Sequence, residues 1–220
     1  MKLNEKKTKN MIFNFTRKYQ FTTNMSVNQQ PIEIVRETRL LGTIVTQDLK
    51  WNKNTAEIVR KAWKRMQLLN RAAGFTNCKQ DLIKIYLTYI RSALEQSAVV
   101  WHSSLSSKNR RDLERVQKVA VRVILGKNYT SYKNGLQKLN IEALDERREK
   151  ICLKFAKKCL GNEKLRSMFP KNVTGNIKRR KTKVFKTKLI KTKRYKNSAI
   201  PYMVNLLNNE DEKKKKILKF

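Results

Sequence analysis

The sequence is poor in the residues that build loop-rich or cross-linked proteins. Its 220 residues include only six glycines, three prolines and three cysteines. So little glycine and proline excludes a collagen-like or low-complexity chain, and three widely spaced cysteines exclude a disulfide framework. Reduced thiols are typical of an intracellular protein, so we expect a nuclear or cytoplasmic location.

Signals for export and for membrane insertion are also missing. The basic residues near Met1 are not followed by the roughly 7–15 apolar residues of a signal peptide. No apolar run approaches the roughly 20 residues that a membrane-spanning helix needs. We therefore expect no membrane partner.

Negative charge is scarce. The chain has 17 acidic residues against 52 lysines and arginines, which leaves a formal net charge of +35. Self-repulsion of this size weakens a compact fold unless a polyanion neutralises it. Nucleic acid, as RNA, DNA or an RNA–DNA duplex, is the first partner that this charge predicts. An anionic membrane surface contacted through residues 178–196 is a weaker alternative.

The sequence lacks a recognisable metal-binding or catalytic constellation. Two-metal chemistry needs clustered carboxylates, but the five aspartates are scattered, and the acidic cluster at 210–212 is interpreted as a solvated charge run beside four lysines. His102 is the only histidine, and we interpret it as a helix-end residue rather than a catalytic or zinc-binding one. We expect no catalytic residue, metal site or cofactor in this chain.

Hydrophobic periodicity predicts an α+β fold that is mainly α, with a small N-terminal antiparallel β portion, a helical bundle and a basic C-terminal extension. The period-2 segments are a strand with Met11, Phe13 and Phe15 on one face, a hairpin with a four-residue turn, and a short strand. The hairpin lies at 25–35, with its turn at 28–31. The short strand lies at 40–45.

A period of 3.6 residues then predicts four helices and a short fifth one capped by Ser198. Asn54 and Glu57 form a possible capping pair, and three glycines follow helix ends. The residues after 208 are predicted to be a frayed tail. The four helices are predicted at 54–73, 80–102, 107–125 and 141–160. The predicted domains are 1–48, 49–161 and 162–220.

Two groups of basic residues are candidate binding sites for polyanions. One group lies opposite the apolar face of the first helix. The other alternates with apolar and aromatic residues, a pattern that suits phosphate neutralisation and base stacking, although a solvated charge run or a nuclear-localisation tract at 178–181 would look similar. The first group is Arg60, Lys61, Lys64, Arg65 and Arg71. The second is Lys178, Arg179, Arg180, Lys181, Lys183, Lys186, Lys188, Lys191, Lys193 and Arg194.

Five segments occur in an order that resembles the C-terminal part of a non-LTR retrotransposon reverse transcriptase. They read LNEKKTKNMIF, RLLGTIVTQDLKW, LIKIYLTYIRSALEQSAVVWHSSL, LERVQKVAVRVILG and LDERR. The resemblance covers roughly residues 3–160, and a weaker match, RYKNSAIPYMVNLLN, extends it. It implies the end of a palm, a thumb and a basic extension of an RNA-directed DNA polymerase.

The resemblance also implies roles for particular residues. Lys7 and Lys9 of the KTK segment match a position near the triphosphate of the incoming nucleotide, although an exposed turn is an equal interpretation of Lys7. Leu41 and Gly42 match the primer-grip hairpin, and the helices from Asn54 match the thumb that holds the template–primer duplex. The aspartates that bind Mg²⁺ in the complete enzyme would lie upstream of Met1.

The chain is accordingly expected to be a polymerase fragment that binds nucleic acid and is not an enzyme by itself. We expect Met1 to be an internal start or the result of a broken frame, with the missing polymerase half as a possible partner. A free-standing basic helical module that packages nucleic acid is the alternative. Such a module has no reason to keep palm and thumb motifs in order.

Overall fold

A computed structural model describes residues 4, 7–16, 24–76, 78–172 and 183–217, with side chains to residue 213. It divides into two compact units, Met1–Ile58 and Val59–Phe220. The expected fold class is confirmed, because the described residues are mainly helical with two small antiparallel sheets near the N-terminus. The predicted domain limits at 48 and 161 stay predictions.

The first sheet is the predicted hairpin with a shorter turn. Strands β1 (Ser26–Val27) and β2 (Gln30–Pro31) pair antiparallel, with Val27 opposite Gln30. The turn is therefore Asn28-Gln29, two residues rather than four, and their φ angles are 49° and 66°. Two positive φ angles give a turn whose twist matches that of the strands.

The second sheet corrects the single strand predicted for 40–45. Strands β3 (Glu37–Leu40) and β4 (Thr43–Thr46) pair antiparallel around a turn at Leu41 and Gly42. Their φ angles are 46° and 82°, a conformation that glycine adopts readily. The apolar residues on both sides of Gly42 suggested a single strand, and the Leu41 side chain at the tip is 90% exposed.

The predicted strand through Met11, Phe13 and Phe15 is not observed, because residues 11–16 have no regular structure. A single parallel bridge joins Asn10 to Ile34, with a 2.9 Å hydrogen bond from the Asn10 amide to the Glu33 carbonyl. Among the described residues no strand continues this ladder. Phe13 and Phe15 are 46% and 48% exposed.

Helix α1 spans Asn52–Phe75, two residues longer at each end than predicted. Asn54 is not a cap: it is buried inside the helix, where its side-chain oxygen accepts a 3.0 Å hydrogen bond from the Ile44 amide of β4. Gly74 lies within the last turn instead of following the helix. The buried residues recur at three- and four-residue steps: Ile58, Ala62, Met66 and Leu69.

The second predicted helix is broken. Ser97 has a φ of 54°, and the indole N–H of Trp101 donates to the Gln96 carbonyl at 3.0 Å across the break. The apolar pattern continues through these residues, so periodicity could not reveal the interruption. The pieces are α2 (Lys79–Ile85), a π-helical segment (Tyr86–Arg91), α3 (Ser92–Glu95), α4 (Ala98–Trp101) and a 3₁₀ segment (His102–Ser104).

Helix α5, Ser107–Leu125, has the bounds that the sequence predicts. The Ser106 hydroxyl oxygen accepts a 3.2 Å hydrogen bond from the Asn109 amide, which satisfies one of the free donors at the helix start. Gly126 follows the helix with a φ of 52°. Periodicity and both ends agree here, which explains why this prediction is confirmed.

The helix predicted at 141–160 is present, and a further short helix precedes it. Helix α6 (Tyr132–Leu139) was missed, and helix α7 runs over Leu144–Leu160 instead of starting at 141. Ser131 caps α6, and Asn140 ends it in the left-handed conformation. With only eight residues, α6 offers too few turns for periodicity to distinguish it from a loop.

The buried side-chain amide of Gln117 connects α5 to its neighbouring elements. Gln117 of α5 is fully buried; its Oε1 accepts from the Tyr86 hydroxyl, and its Nε2 donates to Tyr132 Oη at 2.9 Å and to the Glu142 carbonyl at 2.8 Å. Buried polar groups are stable when their hydrogen bonds are made. Gln117 therefore fixes α5 against the π-helical segment, α6 and the start of α7.

The C-terminal segment packs on α7. It forms α8 (Glu163–Arg166), α9 (Lys193–Lys196) and α10 (Ala199–Ile217), so the predicted frayed tail is helical through Ile217. An ion pair between Glu210 and Lys157 of α7 holds this part of α10. Cys152 and Cys159 are free cysteines and are buried. The shared cluster is Cys152, Ala156, Cys159, Phe169, Phe185, Met203, Val204 and Leu207.

Two helical glycines should respond oppositely to alanine. A Cβ at Gly135 would lie 2.5 Å from Val121 Cγ1, whereas one at Gly74 meets nothing within 4 Å. We expect Gly135→Ala to lower the free energy of unfolding by about 1–3 kcal/mol through overpacking. Gly74→Ala should raise it by about 0.5–1 kcal/mol. Urea unfolding measures both, and equal effects would contradict the α5–α6 packing.

Candidate nucleic-acid interface

The predicted basic face of α1 is narrower than expected. Arg60, Lys64 and Arg71 are exposed and fall within about 40° of arc on a 3.6-residue helix. Lys61 and Arg65 are half-buried on the flank of this arc. We call Arg60, Lys64 and Arg71 the α1 basic surface.

Arg65 is engaged within the protein. Its Nη1 donates to the Tyr89 carbonyl at 2.6 Å, and its guanidinium carbon lies 4.6 Å from the centroid of the Tyr89 ring. This stacked geometry is that of a cation–π interaction. Arg65 therefore ties α1 to the π-helical segment, and a phosphate would compete with these contacts.

Helix α5 carries a set of basic residues that the sequence analysis missed. All are exposed, recur at alternating steps of three and four, and fall within about 80° of arc. Within the described part of the chain, no carboxylate pairs with the first four. We call this set the α5 basic stripe: Lys108, Arg111, Arg115, Lys118 and Arg122.

The stripe could have been found from the sequence. The same periodicity that identifies the apolar face also identifies a basic one when it is applied to lysine and arginine. At 1.5 Å per residue the stripe is about 21 Å long, the length of about six base pairs of duplex. A row of this length presents several cations along one face of the helix.

Packing fixes the direction of the stripe. The opposite side of α5 is buried in the core through Leu113, Val116 and Ala120. Glu114 also turns away from the stripe, because its carboxylate accepts hydrogen bonds from the Tyr132 hydroxyl and, at 3.2 Å, from the Leu144 amide. Burial, assisted by Glu114, raises the pKa of Tyr132. The apolar residues and Glu114 therefore lie on the inner side of α5, and the α5 basic stripe lies on the exposed side.

The C-terminal cations are exposed on an anchored segment. The Lys186 amide donates to the Pro170 carbonyl at 2.8 Å, and the Asn208 side chain bonds both the amide and the carbonyl of Phe185. Predicted residues 178–181 lie outside the described residues. The described cations, all exposed, are Lys183, Lys186, Lys188, Lys191, Lys193 and Arg194.

The residues assigned by resemblance lie in the N-terminal unit. Lys7 is exposed in a short turn, and Lys9 Nζ lies 3.4 Å from a carboxylate oxygen of Glu33. Leu41 and Gly42 do form a hairpin turn, as the resemblance implies. The nucleotide-proximal role of the lysines and the primer-grip role of the turn stay predictions.

A buried polar cluster surrounds the only histidine. His102 directly follows the end of α4, as expected of a helix-end residue, and it is also fully buried, which the sequence did not indicate. Its Nδ1 accepts from Arg148 Nε at 3.3 Å, so the neutral ring carries its proton on Nε2, 3.3 Å from the Tyr202 hydroxyl. Arg148 is itself fully buried and lies 3.5 Å from Asp145.

This cluster holds His102 in its neutral form. Burial, followed by the charges of Arg148 and Arg110, lowers the pKa of His102 to about 4, and Asp145 opposes that shift. Burial also lowers the pKa of Arg148, with Asp145 again opposing. The enclosed histidine and arginine link the 3₁₀ segment, α7 and α10, and their contacts are those of a structural cluster.

No family model, curated protein or solved structure matches this chain. Among the described residues, no three histidine, cysteine or acidic side chains are grouped to hold a metal ion. Within the same residues, no helix has the length and apolar character to cross a membrane. The functional proposal therefore rests on the residues and their geometry.

The His102 cluster predicts acid sensitivity. In the unfolded chain the histidine has a pKa near 6.5 and is protonated below that pH. In the folded chain His102 has a pKa of about 4 and stays neutral until the pH falls to that value. Stability is therefore lost as pH falls from about 6.5 to about 4, by roughly 3 kcal/mol. Urea unfolding at several pH values should show this slope in the wild type and a weaker one in His102→Gln. Identical slopes would contradict the buried neutral histidine.

Proposed function

We propose that this chain is the C-terminal part of an RNA-directed DNA polymerase of the non-LTR retrotransposon type, and that it grips nucleic acid through phosphates. The ordered palm-like and thumb-like motifs support the polymerase assignment. The α5 basic stripe is the observation that carries the binding role. Polymerisation would require the carboxylates of the missing part, which bind Mg²⁺ in the complete enzyme.

The stripe fits a phosphate backbone better than it fits a protein surface. Its cations are regularly spaced along one helix face, and each phosphate that they neutralise releases a condensed counterion. Such binding is independent of sequence and strongly dependent on salt. These are the properties that a thumb needs, because it must hold any template–primer duplex.

Charge removal on the stripe tests this role. We expect Arg111→Gln, Arg115→Gln and Lys118→Gln together to lower the slope of log affinity against log salt by about 2.7 on duplex, since each contact contributes about 0.9. Fluorescence anisotropy with an RNA–DNA primer–template measures the slope. The matched control replaces three exposed lysines elsewhere, Lys133, Lys154 and Lys164, with glutamine. An equal loss in the control would contradict a localised interface.

Catalysis and duplex preference are tested on the same sample. The pure chain should bind the primer–template more tightly than single-stranded RNA of equal phosphate number and should extend no primer with Mg²⁺. The physical reason is that the stripe can align with a regular backbone, while the described residues include no group of carboxylates that could hold Mg²⁺. Primer extension would overturn the proposal. Binding without duplex preference would favour a packaging protein.

A further inference from the structure

A cleft of about 320 Å³ lies between α10, the loop after α8 and the segment around Lys186. Its size falls at the lower end of the range for small-molecule sites. All of its lining residues belong to the C-terminal unit and are described by the structure. It is separate from the α1 basic surface and from the α5 basic stripe, because none of their residues lines it.

The lining combines apolar surface with positive charge. Three large, mainly apolar residues line the cleft and are partly exposed to solvent: Ile190 (38%), Tyr195 (37%) and Ile200 (39%). Lys186 and Lys188 line the same cleft and are exposed, and no acidic residue lines it. A concave apolar surface with a few polar groups suits a small ligand, and the two lysines favour an anionic one.

Local hydrogen bonds hold the walls of the cleft. The Thr192 hydroxyl oxygen accepts from the Tyr195 amide at 3.2 Å, and the Ser198 hydroxyl donates to the Tyr195 carbonyl at 2.8 Å. The backbone bond from Lys186 to Pro170 fixes the other wall. Asn205 lines the cleft as well, and its side chain makes no hydrogen bond to other described residues. Its amide can therefore meet the polar edge of a ligand.

We propose that this cleft binds an unpaired base of a single-stranded nucleic acid, with flanking phosphates on Lys186 and Lys188. The apolar walls and Tyr195 supply a stacking surface, Asn205 a donor and acceptor, and the lysines the counter-charge. A duplex cannot use the cleft because its bases are stacked inside the helix. The inference rests on the proposed nucleic-acid-binding function and adds a single-strand site to it.

The test compares bases with backbone on the full chain. The probes are a fluorescent uridylate decamer and an abasic decamer of equal charge. Tyr195→Ala and Ile190→Ala should each weaken binding of the uridylate about 5- to 160-fold, the range of one lost stacking contact. Neither should change binding of the abasic decamer. Leu189→Ala is the matched control, since Leu189 is 83% exposed and does not line the cleft.

Charge variants provide a second comparison. Lys188→Ala should lower the salt slope on the uridylate by about 0.7, the value for one phosphate contact to a single strand. Lys191→Ala removes the same charge from an exposed lysine outside the cleft and should change the slope less. Equal salt slopes for Lys188→Ala and Lys191→Ala would overturn the proposal that Lys188 contacts a phosphate.

The outcomes separate this inference from the function on which it rests. If the wild type binds neither duplex nor decamer, both proposals fail. If it binds both and Tyr195→Ala matches Leu189→Ala, only the cleft proposal fails. Vesicles with phosphatidylserine are a further arm: loss of vesicle binding in Tyr195→Ala with unchanged uridylate binding would assign the cleft to lipid and overturn the inference.

Crosslinking gives a result that does not depend on variants. A decamer carrying 4-thiouridine, irradiated with the wild-type chain, should join to a peptide that contains Ile190 or Tyr195. Excess abasic decamer should not abolish this product, whereas excess uridylate should. Crosslinks confined to other peptides would overturn the proposal even if the alanine variants failed to fold.

Discussion

Burial of the Arg148 guanidinium is the constraint around which the C-terminal unit is arranged. A buried cation is stable only where neighbours compensate for lost water. Asp145 lies 3.5 Å away, the neutral His102 ring accepts a hydrogen bond, and the Trp101 ring lies 5.8 Å from the guanidinium carbon. Because these groups come from the 3₁₀ segment, α4 and α7, and Tyr202 adds α10, one charge holds four elements in register.

Internal contacts of the carboxylates explain how a chain with so few acidic residues has an organised basic surface. Several acidic groups are engaged inside the fold: Glu114 accepts hydrogen bonds between α5 and α7, and Glu95 pairs with both Arg91 and Arg147. Carboxylates used in this way cannot neutralise exposed lysines and arginines. The exposed face of α5 thus keeps its positive charge, because these carboxylates are engaged in internal contacts and do not neutralise it.

Periodicity and capping residues predicted the elements that depend only on residues close together in the sequence. Helix α5 was predicted to the residue because periodicity, the Ser106 cap and Gly126 agree. Periodicity missed the break at Ser97, where the apolar residues continue at helical spacing, and it missed the turn at Leu41 and Gly42, which only the resemblance indicated. The α5 basic stripe was available from spacing alone. The Arg148 cluster and the cleft join residues that are distant in sequence, so only the tertiary fold brings them together.

The two proposed surfaces of the C-terminal unit suit different forms of nucleic acid. A straight row of cations matches a regular backbone and needs no access to bases, whereas the cleft beside Tyr195 can act only on a base that is unpaired. A protein selected to package one kind of nucleic acid needs one of these surfaces. A polymerase works where duplex meets single strand, and there both surfaces would be used at once. If the stripe and the cleft both bind as proposed, a polymerase fragment would use the two together, whereas a packaging module would need only one of them.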